Sequence, residues 1–121
     1  MRLCISNDVP FKATAGLHHP LRNEYHLTYE PDSPVGPMYG FLNVFLTAGF
    51  MRHRMSDEEA IELLQERNAA ALVVTPTTIC WRDHELDEKE LRVMRDGVAT
   101  SFGSCSFSEP VDELRPLSLL P

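Results

Sequence analysis

The chain has 121 residues, 43% apolar and 24% charged, a balance that suits one globular domain and excludes disorder throughout. It is too short for a closed eight-stranded α/β barrel, which needs about 200 residues or more. The net charge of −7 falls on one side: residues 1–55 carry five basic and four acidic side chains, the remainder six basic and fourteen acidic, and such an acidic half repels phosphate backbones, which argues against nucleic acid as a partner.

Leu3, Cys4 and Ile5 before Ser6-Asn7-Asp8 read as the last turn of a helix, broken at Pro10. Phe11, Ala13 and Ala15 alternate with Lys12 and Thr14, which predicts a short strand ending at Gly16. Residues 17–37 contain Pro20, Pro31, Pro34, Gly36 and Pro37, so a long loop is expected, with residues 25–29 as a short strand inside it. Residues 38–53 predict a helix apolar on most sides, hence buried on most sides. Tyr39, Asn43 and Thr47 form a polar stripe on it, and Arg52, His53 and Arg54 at its end complement the macrodipole.

Ser56 with Glu59 three residues on is a capping box, opening an amphipathic helix to residue 66 with Ala60, Leu63 and Leu64 inward. Residues 71–75 and 78–81, rich in Val, Ile, Thr and Trp, predict a hairpin turning at Pro76-Thr77. Asp87 caps a third helix reaching about residue 94, residues 101–107 are turn-forming, and Glu109-Pro110 opens a last short helix to Leu114. The expected class is α/β, or α+β for this piece taken alone. A barrel-type strand and long loop occupy 1–37, and a helical cap with a β-hairpin occupies 38–121.

Chemistry-bearing residues gather after the first strand. In a barrel, Lys12 and Thr14 would point inward near the mouth, and a desolvated lysine can attack a carbonyl, so Lys12 is a candidate nucleophile or charge stabiliser. His18 and His19 follow as candidate proton carriers. Arg22 is a candidate clamp for a carboxylate or phosphate, or else a rim partner of Glu24. Thr14, Asn43 and Ser104 complete the candidate substrate contacts. Small residues surround Cys105 just ahead of a helix, where backbone N–H groups can cradle an anion or merely cap the helix over a buried thiol. A nucleophilic Cys105 needs a base that spacing does not locate. A metal would need His18 and His26 to converge with Glu24 or Asp32, and that spacing matches no zinc pattern, so neither a metal nor a cofactor is expected. Cys4, Cys80 and Cys105 contain no CxxC pair and read as reduced cytoplasmic thiols. No signal peptide is visible, and the apolar run 38–51 is too short to cross a bilayer.

Two resemblances bear on these residues. Phe11-Lys-Ala-Thr-Ala-Gly16 resembles the lysine-bearing strand of deoxyribose-phosphate aldolases. Phe11-Lys-Ala-Thr-Ala-Gly-Leu-His-His-Pro20, Gly40-Phe-Leu-Asn43, Trp81-Arg82 and Ser101-Phe-Gly-Ser-Cys-Ser-Phe107 with Glu109-Pro110-Val111 resemble the C-terminal part of a family of longer, uncharacterised bacterial proteins. The family resemblance implies a barrel-like architecture with further α/β units ahead of the lysine strand, and it implies no particular reaction. The leading expectation is the C-terminal portion of an enzyme-like barrel acting on a small anionic or carbonyl substrate. The alternatives are a non-catalytic module and a metal-dependent hydrolase fragment using the histidines. In the module, Phe41, Phe45 and Phe50 would dock against a second copy or a missing N-terminal half.

Overall fold

The computed structural model describes residues 1–14, 16–117 and 119. Its sheets are small. Strand β1 (Phe11–Ala13) pairs in parallel with the last strand of the chain, β7 (Ala99–Phe102). Strands β2 (Asn23–His26) and β3 (Val35–Met38) form an antiparallel hairpin, and β4 (Leu72–Val74), β5 (Thr78–Trp81) and β6 (His84–Asp87) an antiparallel three-stranded sheet in that order. The helices are α1 (Arg2–Ser6), α2 (Phe41–Met51), α3 (Asp57–Gln65), α4 (Glu88–Gly97) and α5 (Ser108–Leu114). The architecture is mixed α+β. No closed barrel forms among the described residues, and no helix there is long and apolar enough to cross a membrane.

Local chemistry starts two helices as the residue pattern predicts. Ser56 accepts from the Glu59 N–H at 3.1 Å while Glu59 accepts from the Ser56 N–H at 2.9 Å. Asp87 and Glu90 make the same reciprocal pair ahead of α4, both at 2.8 Å. Each pair satisfies donors that a bare helix end leaves open, worth about 1 kcal/mol per cap.

Helix α2 begins differently. Residues 38–40 were expected inside it, yet Met38 closes β3 opposite Asn23 and Gly40 is an extended N-cap with no capping side chain. The first two helical N–H groups donate instead to the chain after β1, Phe41 to the His19 carbonyl (2.9 Å) and Leu42 to that of Pro20 (3.0 Å). Gly40 permits this approach, because a Cβ there would collide with the backbone of Pro20 and Leu21. Helix α2 thereby anchors the segment that carries both adjacent histidines.

The core forms where α2 and α3 meet the three-stranded sheet. Leu46, Phe50, Met55, Leu63, Leu72, Trp81 and Leu86 are all buried in one cluster. Each such side chain contributes about 1.5–3 kcal/mol by leaving water. Phe50 is fully buried and Phe41 is buried as well, so the three-phenylalanine docking face loses two members. Phe41 and Phe45 instead pack on Phe102 of β7, with ring centroids 4.9 and 5.8 Å apart.

Three strands went unanticipated, the first being β3, whose residues 35–37 were expected as loop and instead pair with β2. Strand β6 pairs with β5 across the two-residue turn Arg82-Asp83, where Arg82 takes a left-handed backbone (φ 53°) without the Asn-Gly or Asp-Gly signal such turns usually show. Strand β7, whose last two residues fall in the stretch read as turn, is recruited from far away. Lys12 lies opposite Ser101, and the Thr100 hydroxyl donates to the Phe11 carbonyl across 89 residues of chain.

Candidate functional site

Parallel pairing brings the carboxyl ends of β1 and β7 to the same end of their sheet, so whatever follows each strand must meet there. Ligand sites in parallel α/β arrangements favour that end for the same reason. After β1, Gly16 turns the chain in a left-handed conformation (φ 80°) and His18 and His19 follow. After β7, the Gly103 N–H donates to the Ala13 carbonyl at 2.8 Å, and Ser104 and Cys105 follow. Helix α5 then supplies Glu109 and Glu113, and the β2–β3 hairpin supplies Tyr25 and Tyr29. A cavity of about 370 Å³ opens here, walled by His18, His19, Tyr29, Met38, Cys105 and Glu109 among others. That is within the usual size range of small-ligand pockets.

The hydrogen bonds assign His18 a tautomer. Its Nδ1 lies 3.0 Å from Ser104 Oγ. That hydroxyl spends its only proton on the Ser106 carbonyl at 2.8 Å, so toward His18 it must accept. Nδ1 therefore carries the hydrogen in the neutral ring, and the lone pair sits on Nε2. Cys105 Sγ lies 3.6 Å from Nδ1 and 3.8 Å from Nε2, and is therefore nearly equidistant from the two nitrogens. The thiol lies slightly nearer the nitrogen that carries the hydrogen, so meeting the Nε2 lone pair requires the Cys105 side chain to rotate. Glu109 Oε2 is 3.9 Å from Nδ1, the distance of an ion-pair partner for a protonated ring.

Tyr29 links the thiol to the carboxylate. Its hydroxyl donates to Glu109 Oε2 at 3.3 Å and lies 3.3 Å from Cys105 Sγ. The hydrogen bond with Cys105, then burial, then the neighbouring Glu109 charge push the Tyr29 phenol up to about 12. It stays protonated near neutrality, able to donate.

His19 is held more rigidly. It is 6% exposed, and its Nδ1 meets both Glu113 carboxylate oxygens, at 2.8 and 3.0 Å. Its ring stacks on Tyr25 with centroids 3.4 Å apart and planes within 4°. The Tyr25 hydroxyl in turn donates to the Leu21 carbonyl at 2.9 Å. Burial first, and the Glu113 charge second, push the Tyr25 phenol up to about 12. One ligand atom each from His19, Glu109 and Glu113 fall within 4.8 Å of one another, the one such convergence among the described residues able to hold a metal ion.

The remaining expected residues are dispersed. Lys12 and Thr14 are both exposed and line neither this cavity nor the neighbouring recess formed by Gly16, His18, Gly103, Ser104 and Cys105. Arg22 sits with its guanidinium carbon 5.2 Å over the Tyr39 ring, again outside the cavity wall, and makes no ion pair with Glu24 among the described residues. Asn43, 1% exposed, uses its amide internally, accepting from the Arg22 N–H at 2.7 Å and donating to the carbonyls of Leu63 (2.8 Å) and Glu66 (2.9 Å). His26 lines the cavity but bonds to the Ser33 carbonyl, and neither Glu24 nor Asp32 joins it in a ligand set.

Residue reading overlooked Tyr25, Tyr29, Glu109 and Glu113. The two acids, four residues apart on one short helix, share a face; this was the one signal present in the chain. No family model, no curated protein and no solved structure matches this chain.

Proposed function

We propose that the carboxyl ends of β1 and β7 form a thiol–imidazole site for acyl transfer or hydrolysis on a small carbonyl substrate, with Cys105 as nucleophile and His18 as its base. The observation that carries this reading is the approach of Cys105 Sγ to an imidazole whose Nδ1–H is committed to Ser104. A thiol beside a base of fixed tautomer is the arrangement that covalent catalysis on carbonyls requires.

The S–H proton passes to His18 Nε2 and the sulfur pair forms a bond to the substrate carbonyl carbon, moving the C=O π pair onto oxygen. That pair returns as the leaving group departs with the proton from Nε2, leaving an acyl thioester that water cleaves in the reverse sense. Tyr29 turns its hydroxyl from Glu109 toward the sulfur as negative charge develops there, and Glu109 faces the protonated ring. Leu27, Pro31 and Met38 provide an apolar wall for the substrate body. Lys12 and Arg22 have no part in this scheme.

Alkylation by iodoacetamide with peptide mapping tests it. His18→Gln should slow modification of Cys105 at neutral pH by at least roughly tenfold, and Cys105→Ser should abolish release of nitrophenol from a small nitrophenyl ester. An unchanged Cys105 rate in a folded His18→Gln chain would remove the base from the scheme and the reading with it.

A further inference from the structure

At the wall of the same cavity stands a second constellation, of which the thiol scheme uses only Glu109. His19 follows β1, while Glu109 and Glu113 stand one turn apart on α5, ninety or more residues along the chain. None of the three is exposed, and the His19 imidazole is almost wholly buried. The side chains of Glu109 and Glu113 keep 26% and 35% of their surface, so an ion could reach them from solvent.

We propose that His19, Glu109 and Glu113 bind a divalent transition-metal ion of the zinc class at the wall of the cavity. Two carboxylates balance the ion's charge, which one imidazole facing two acids does not. A nitrogen–oxygen donor set favours Zn²⁺ or Co²⁺ over Ca²⁺ and Mg²⁺, whose sites are built of oxygen. Ligand atoms on one tetrahedral ion sit about 3.4 Å apart at bond lengths of about 2.1 Å. The present atoms lie within 4.8 Å of one another, and His19 Nδ1 stands 2.8 Å from Glu113 Oε1, so a bound ion would require the two glutamate side chains to readjust around it. Three protein ligands leave a coordination position open, as in zinc sites that take a water or a substrate oxygen. The ion and the thiol would be joined through a single phenol, since Tyr29 touches both Glu109 and Cys105. The ion site shares Glu109 with the thiol scheme but neither its nucleophile nor its base, and it stands or falls by its own measurement.

Titration of the purified chain with Co²⁺, followed by visible d–d absorption and competition with Zn²⁺, tests the site. One equivalent should bind. Glu109→Gln and Glu113→Gln, which keep the shape and one acceptor oxygen but remove the charge, should each weaken binding roughly tenfold or more while far-UV circular dichroism stays unchanged. Cys105→Ser should leave the Co²⁺ affinity as it is, which separates this result from failure of the thiol reading. Absence of saturable binding would overturn the proposal. So would binding that survives both glutamine variants, or that is lost only with Cys105.

Discussion

Asn43 offers a direct test of how the segment bearing the histidines is held. Its side chain joins three pieces of backbone: the Arg22 N–H just beyond His19, and the Leu63 and Glu66 carbonyls at the end of α3. Asn43→Ala removes three hydrogen bonds, at roughly 1 kcal/mol net each, and leaves their partners behind. The Leu63 bond is fully buried, whereas the other two are partly buried and water can replace part of what is lost. The expected destabilisation is about 2–4 kcal/mol, a fall in Tm on the order of 10 °C for a domain of this size. Trp81, the chain's single tryptophan, is 1% exposed in the same core, so its fluorescence in urea reports the unfolding. Asn43→Asp sharpens the experiment. It keeps the acceptor for Arg22 but sets a second carboxylate oxygen against two carbonyls, so at pH 7 it should cost at least as much as alanine. A loss below about 1 kcal/mol for alanine, or an aspartate variant as stable as the parent, would refute the clamp.

Two further outcomes follow from the same geometry. Gly40→Ala places a methyl group against the Pro20–Leu21 backbone, so the start of α2 must move away from His19. It should lower Tm and also slow Cys105 alkylation, and a change in neither would show that the contact positions nothing. The Glu59 carboxyl is held below its ordinary range, first by the Ser56 N–H and then by His84. As pH falls the unfolded chain takes up that proton before the folded one. This contribution is therefore complete above the ordinary glutamate value of the unfolded chain and disappears as pH drops through the lower folded value. Acid titration of stability should be shallower in Glu59→Gln, and superimposable curves would contradict the assignment.

Capping boxes, turn prolines and apolar runs act within a few residues, and they were legible along the chain. Ser56–Glu59 opened α3 where expected, Asp87 opened α4, and the hairpin of 71–81 reappears as β4 and β5. His18 and His19 after the first strand were legible too, because a strand's end is a local property. The Arg82-Asp83 turn was not, since its left-handed arginine is sustained by the pairing of β5 with β6 rather than by its own residue type.

The site itself belongs to tertiary structure. Cys105 lies 87 residues from His18, and Glu113 lies 94 from His19. No spacing rule spans such separations. The parallel pairing of β1 with β7 brings these groups together, and that pairing depends on backbone hydrogen bonds and the stacked Phe41 and Phe102 rings. The same long-range packing sends Asn43 into the interior as a clamp and leaves Lys12 in water. A helix face or a strand's alternation follows from periodicity, but which strands become neighbours is decided by the burial of surfaces far apart in the chain.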